Sequence, residues 1–384
     1  MEIVRVPFYR HQLGDLEKYE MNKSFSNPIL TSGPIGIAVE NQISSYFNVR
    51  NAKLVNSWTN GALATLMAFG VGPGDEVILP SMTFIACANI VELLGATPIF
   101  CDVSDSDLLV SAEIIRPHIT SRTKAIIVVH LYGQMCDMKN IYSEFSQLGI
   151  RILEDCAHSF ESNRDQYSPG TYSDAAVFSF YATKNITCGE GGAIITNDDA
   201  LYNEITQRIL HGMTAGAADR FKTGSYVHWN MEMLGIKANL PDILASLLPT
   251  QISNLDEKLN MRSFLAQRYD QHFHGLPLRL PSKISNGRNA HHLYPIWIQN
   301  NLRDTSLQIL ANRNIGATVN FRPVNEMNYY KKKYSNNINT TPISSEWGGG
   351  VLSLPLYPGL SIQEQDYVIR VVTDEICKLI SETI

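Results

Sequence analysis

Lys184 sits in the segment AVFSFYATKNITCGEGG (176–192), just past an apolar run that ends at Ser179-Phe180-Tyr181, with Gly189, Gly191 and Gly192 beyond it. An amine at a strand end among small residues is placed to condense with a carbonyl, provided that desolvation or a neighbouring charge lowers its pKa. Taken alone, the same residue also reads as a surface lysine in a turn. A second segment, IRILEDCAHSF (150–160), puts Glu154 and Asp155 at the carboxyl end of another apolar run. A carboxylate there calls for a cation, and a protonated pyridine nitrogen would serve; a structural salt bridge is the plainer reading. A metal site built from Asp155, Cys156 and His158 is disfavoured, because no i, i+4 His pair and no second Cys cluster accompanies them. A third segment, NSWTNGALATLMAFG (56–70), has Ser57 and Thr59 ahead of an apolar-periodic helix that stops at Gly70. Either residue could be an ordinary N-cap, and the free N–H groups of such a helix start also suit a phosphate. Phe84, in LPSMTFIA, follows a strand and could stack on a ring face or belong to the core.

Together these are parts for pyridoxal phosphate: an amine for its aldehyde, a carboxylate for its ring nitrogen and a cup for its phosphate. Such a cofactor carries the carbanion chemistry, and the protein orients it.

The elements that must hold these residues are short strands alternating with helices. DEVILP (75–80), TPIFCDV (97–103), KAIIVVHLY (124–132), IRILED (150–155), AAVFSFY (175–181) and GGAIIT (191–196) are β-branched or aromatic and bounded by Gly, Pro or Asp. Segments 60–69, 84–95 and 137–148 are long enough for crossover helices. This alternation predicts an α/β fold with a mostly parallel central sheet and helices on both faces, whose ligands bind outside the carboxyl ends of the strands. Near residue 250 the pattern changes. Ile252, Leu255, Leu259, Ala266 and Tyr269 recur at helical spacing, and a smaller C-terminal α+β domain is expected over 251–384, after a large domain over 1–250. LYPIWIQ (293–299) and ATVNFRPV (317–324) read as its strands. SIQEQDYVIRVVTDEICKLI (361–380) reads as its closing helix, with Ser361 and Glu364 as a capping box, and KKKYSNNINTT (331–341) reads as a loop.

The chain has 384 residues, 31 Lys plus Arg against 37 Asp plus Glu, and a formal charge of −6. Apolar residues make up 44% and charged residues 18%, which supports a large core and excludes a disordered or collagen-like chain. The acidic balance argues against nonspecific nucleic-acid binding. The six Cys include no C-x-x-C pair, so neither a disulfide framework nor a zinc ribbon is indicated, and reduced thiols of a cytoplasmic protein are expected. No secretory signal and no spanning apolar stretch is visible, so no membrane partner is expected.

NSWTNGAL, GVGPGDEVILPSMTFIACAN, KAIIVVHLYGQMCDM, ILEDCAHS and FSFYATKNITCGEGG, in that order, resemble the DegT/DnrJ/EryC1/StrS family of sugar aminotransferases, fold-type I pyridoxal-phosphate enzymes. The likeness runs from LTSGP (30–34) to LSLPLYPGL (352–360). It implies that Lys184 is the internal-aldimine lysine, which also moves the proton between the donor carbon and the cofactor, and that Asp155 is the pyridinium partner. It implies that His158 lies near the cofactor's ring oxygen, that Phe84 stacks on the ring, and that Thr59, Asn60 and Ser179 hold the phosphate. LGIKANLPDILAS (234–246) matches a segment that reaches the neighbouring subunit's site, so Asn239 would contact the phosphate across a homodimer interface. The implied reaction is a ping-pong transfer from glutamate to a nucleotide-linked keto-deoxy sugar, most often a 4-keto-6-deoxyhexose, in cell-surface polysaccharide (lipopolysaccharide or O-antigen) or related glycan synthesis.

Ile236 and Ala238 replace residues that are often aromatic in the family, and Asn325 stands near where many members have His. Both regions help to form the family's sugar site. A 3-keto sugar or a cyclitol is therefore an alternative acceptor. The family's sugar dehydratases commonly have His in place of the lysine, so Lys184 argues against that reading. The intact Lys184, Asp155 and phosphate set argues against a regulator that has lost catalysis.

Overall fold

Short β-branched runs flanked by turn residues form the strands. In the computed structural model, which describes residues 5–214, 228–299, 301–334 and 340–383, these are β1 (Asn51–Val55), β2 (Glu76–Pro80), β3 (Thr97–Cys101), β4 (Thr123–Val129), β5 (Arg151–Asp155), β6 (Ala175–Ser179) and β7 (Gly192–Thr196). They make one seven-stranded sheet in the order β1-β7-β6-β5-β4-β2-β3. Neighbours from β3 through β6 are parallel, and β7 runs antiparallel to β6 and β1. Every residue of β2 and of β7 is buried, as a sheet covered on both faces requires.

The two faces can be read residue by residue. Val177 of β6 and Ile194 of β7 pack in one core with helix Trp58–Ala68, whereas Ala176, Phe178, Ala193 and Ile195 pack in another with helix Pro34–Phe47. This is the period-two alternation of a strand. On the second face Phe178 stacks on Phe47 with ring centres 4.7 Å apart, and Phe160 meets Phe178 at 5.0 Å. Burial of each such ring contributes about 1.5–3 kcal/mol.

Strand direction decides where chemistry can gather. The carboxyl ends of β2, β4, β5 and β6 lie along one edge of the sheet, and the reversed β7 adds its amino end to the same edge. The order also switches there: β3 lies on one side of β2, and β4 and β5 lie on the other, which opens a crevice. Helix Trp58–Ala68 starts at this edge. A Cβ at Gly192 would fall 2.6 Å from the Phe178 carbonyl oxygen and 3.0 Å from the Trp58 nitrogen, so only glycine lets β7 pass the helix start.

Another core gathers residues 265–380 with Val6. It packs helix Leu255–Phe273 and the C-terminal helix against an antiparallel pair, Tyr294–Trp297 with Val351–Leu354. Ser361 and Glu364 form the expected capping box, and the helix they open runs through a π-helical turn, Val372–Ile376, to Thr383. Two expectations need correction. ATVNFRPV (317–324) is not a strand: only Thr318 bridges, to Ser353, and the segment ends in a 3-10 turn at Val324–Glu326. Pro323 lacks the N–H that a ladder needs. Lys331–Lys333 are the last turn of helix Asn328–Lys333, where cations face the negative helix end, and not loop; 335–339 lie outside the described residues. All six Cys are free and buried, and no described helix is long and apolar enough to cross a membrane.

Candidate active site

A cavity of about 470 Å³ opens at the carboxyl edge of the sheet. Asp155, the last residue of β5, lies in its wall and is 5% exposed. Its Oδ1 accepts from the Ala157 N–H at 3.0 Å, and its Oδ2 accepts from Cys87 Sγ at 3.2 Å. Burial raises the Asp155 pKa, opposed by the Ala157 and Cys87 hydrogen bonds and by the charge of Lys184. Glu154, its neighbour in sequence, points elsewhere. It accepts from the Gly170 N–H at 2.8 Å and from the Ser173 hydroxyl, and it lies 2.7 Å from His130 Nε2. His130, Glu154 and Cys156 form a compact buried group. His130 Nδ1 accepts from the Cys136 N–H at 3.2 Å, so Nε2 carries the hydrogen and donates to Glu154. Glu154 is thereby satisfied as a structural carboxylate.

Lys184 lies in the same wall, in the turn after β6, where its N–H donates to Tyr181 O at 2.9 Å. Burial lowers its amine to about 8, and the nearby charge of Asp155 limits the fall. Among the described residues neither Lys184 nor Asp155 has an ion-pair partner within 4.0 Å. A neutralisable amine and a buried carboxylate thus share one cavity without pairing. That fits a ligand with an electrophilic carbon at one end and a cationic nitrogen at the other.

A further part of the cavity is rich in donors. Ser57, with extended φ −167°, caps helix Trp58–Ala68, and its Oγ accepts from the Asn60 N–H at 3.1 Å. Ser57, Trp58, Thr59 and Ser179 line the cavity, and Trp58 Nε1 is a buried donor without a partner among the described residues. The indole N–H, the free helix N–H groups and the hydroxyls of Ser57, Thr59 and Ser179 make a donor set for a dianion. Asn60 does not line the cavity; its Nδ2 donates to Asn56 Oδ1 at 2.9 Å and shapes the turn.

His158 also lines the cavity, with its Nδ1 accepting from the Tyr132 N–H at 3.3 Å. Burial, Lys184 and His292 hold its pKa well below the usual range, so it is neutral and carries its hydrogen on Nε2. Phe321 stacks on His158 at 5.8 Å, and Phe84, 56% exposed, tilts against Phe321 at 6.1 Å. Asn239 lies outside this cavity, with Nδ2 donating to Ser32 Oγ at 2.8 Å. Asn325 is buried and donates to Thr341 Oγ1 at 3.0 Å, also outside the cavity. Sequence reasoning missed Trp58, Cys87, His292 and Phe321. The first two sit inside recognised segments, one between Ser57 and Thr59 and one a helical turn after Phe84. The other two carry no local signal.

The profile of the DegT/DnrJ/EryC1/StrS aminotransferase family matches residues 12–373. The chain is 34% identical over 375 residues to the spore coat polysaccharide biosynthesis protein SpsC of Bacillus subtilis (strain 168), covering 96% of each. Among solved structures it is similar to the aminotransferase TlmJ from Streptoalloteichus hindustanus, with a TM-score of 0.90, 27% identity and coverage of 97% and 99% of the two chains. It is equally similar to Spr1654 from Streptococcus pneumoniae in its apo-form, with a TM-score of 0.90, 27% identity and coverage of 99% and 100%. Spr1654 has also been solved in PMP- and PLP-forms. The fold is that of fold-type I pyridoxal-phosphate aminotransferases, and by sequence over nearly its whole length the chain belongs to the DegT/DnrJ/EryC1/StrS aminotransferase family.

Proposed function

We propose that this protein is a pyridoxal-phosphate-dependent aminotransferase that moves an amino group from glutamate to a nucleotide-linked keto-deoxy sugar, in the first instance a 4-keto-6-deoxyhexose, for a cell-surface polysaccharide or a related glycan. The observation that carries the reading is the unpaired amine of Lys184 and the buried carboxylate of Asp155 in one donor-lined cavity. The family match and the polysaccharide role in the name of SpsC support the sugar.

When bound, pyridoxal phosphate withdraws electrons from the carbon that bears the transferred amino group. The chain's own groups have separable tasks. The start of helix Trp58–Ala68, with Trp58 Nε1, Thr59 and Ser179, binds the phosphate. Asp155, held by Ala157 and Cys87, keeps a negative charge opposite the ring nitrogen. His158 offers Nε2–H to an oxygen at the ring edge. Phe84 covers the open side and limits water. Lys184 Nζ is the nucleophile that retains the cofactor and the base that carries a proton across its face. The packing core around residues 265–380 is proposed as the smaller domain, divided from the larger at 250/251.

The test is turnover of the loaded protein with glutamate against a panel of nucleotide-linked 3-keto and 4-keto sugars. A yellow protein that bleaches with glutamate and then aminates a 4-keto member is expected; no transfer to any member would refute the reading.

The pKa of about 8 for Lys184 sets a pH dependence. Below it the amine is protonated and has no lone pair. Cofactor uptake by the apoprotein, followed by absorbance, should rise about tenfold per pH unit below that value and level off above it. A flat profile would contradict the role of the neutral amine.

A homodimer with shared sites is part of the proposal. Met231 and Leu234 are more than half exposed close to Asn239 in sequence, as an apolar surface awaiting a second copy would be. Asn239→Ala in one protomer should weaken cofactor retention in the other, measured in mixed dimers by release into dilute buffer; equal retention would contradict it.

A further inference from the structure

The cavity wall holds a second imidazole with no task so far. His292 is 6% exposed, and its ring centre lies 4.3 Å from that of His158. Its tautomer follows from a chain of partners. The Glu161 carboxylate and the Ala290 carbonyl oxygen can only accept, and Asn185 Nδ2 lies 3.0 Å from each. Glu161 is itself pinned by the buried Arg262, so it cannot turn away. The Asn185 amide is therefore fixed with its Oδ1 toward His292 Nδ1, at 3.0 Å. An amide oxygen accepts only, so Nδ1 carries the hydrogen. Burial, with the cations Lys184 and Arg262, keeps this ring neutral. Its Nε2 is then a bare lone pair. No described residue donates to it, and His292 lines the cavity together with Lys184.

His158 is set the opposite way, because a backbone N–H occupies its Nδ1 and leaves the hydrogen on Nε2. The two adjacent rings therefore offer the cavity one donor and one acceptor. The Asp155 carboxylate in the same wall is already taken up by Cys87 and the Ala157 N–H, and His158 Nε2 donates. An amine arriving there brings N–H groups that need an acceptor.

We propose that His292 Nε2 is a fixed hydrogen-bond acceptor for the amino group being transferred, and that Asn185 is the positioning residue that locks it in that state. The proposal rests on the aminotransferase reading above and deepens it. Glu161, in the turn after β5, and Arg262, on helix Leu255–Phe273, hold the lock.

Two measurements test it. Nitrogen-15 imidazole spectra of the cofactor-free protein, assigned through His292→Gln, should show His292 protonated on Nδ1 alone and His158 on Nε2 alone. In Asn185→Ala the His292 signal should become a tautomer mixture while His158 is unchanged. In the loaded protein, His292→Phe should raise the KM for L-glutamate about tenfold, the loss of one hydrogen bond to a charged group, with affinity for pyridoxal phosphate within about twofold of wild type. His292→Gln, whose amide oxygen accepts, should recover most of that loss. A hydrogen on His292 Nε2, or an unchanged glutamate dependence in the Phe variant, would overturn the proposal. If the Phe variant does not fold, the spectra of the wild-type protein still decide. A wild-type protein inert toward glutamate would refute the proposed function instead, and the cofactor-free spectra would judge the tautomer lock independently.

Discussion

Lys184→Ala is expected to leave a folded protein that binds pyridoxal phosphate without a covalent link and turns over more slowly by on the order of 10⁴-fold or more, because one amine supplies both nucleophile and base. Borohydride treatment followed by peptide mapping reads the result directly. Wild type should carry the reduced cofactor at position 184, and the variant should carry none. A cofactor trapped in the variant at the same peptide, or turnover within tenfold of wild type, would remove Lys184 from its role. Stability should move the other way. The folded-state amine is lowered to about 8, against 10.5 for the unfolded chain. The cost of burying its charge is therefore fully present below about pH 8, shrinks between the two values and vanishes above the upper one. At pH 7 the cofactor-free Lys184→Met protein should be more stable than wild type by up to about 3 kcal/mol, and at pH 10.5 the difference should be nearly gone. Denaturant titrations at the two pH values measure this.

Asp155→Ala gives the second large effect. Removal of the carboxylate leaves the ring nitrogen without its counter-charge and Cys87 Sγ and the Ala157 N–H without their acceptor. The expected outcome is retention of the covalent cofactor with turnover reduced on the order of 10²–10³-fold, the scale found when one preorganised electrostatic partner is lost. Asp155→Asn should be nearly as poor, since an amide cannot supply the charge. Near-normal turnover in either variant would show that the carboxylate is structural. Loss of the cofactor together with loss of turnover would instead assign Asp155 to binding.

These predictions could be framed from the sequence because the residues concerned stand at the ends of apolar runs. Asp155 closes β5, Ser179 closes β6, and Lys184 follows within one turn. Strand direction alone then sends them to one edge. The glycine run after Lys184 was legible for the same reason, and Gly192 has a defined duty beside Trp58. Other features were hidden. Asn51–Val55 is a strand in which Asn51 and Lys53 are half-buried and Ala52, Leu54 and Val55 buried, too polar to stand out beside the apolar runs. The run 317–324 is β-branched enough to look like a strand, yet Asn320 and Phe321 line the cavity and Tyr132 donates its hydroxyl to the Asn320 carbonyl. Partners distant in the chain overrode local propensity there.

What the sequence determined by itself was the order of the chemical groups along the chain and the strand–helix rhythm that delivers them to one edge, because alternation and turn chemistry act over a few residues. The tertiary structure decided which of two adjacent carboxylates faces the cavity, which residues at the helix start remain unsatisfied donors, and which nitrogen of each imidazole holds a hydrogen. Those outcomes depend on acceptors supplied from far away, as Asn185 and His292 meet across 107 positions, and no local pattern encodes a partner at that distance.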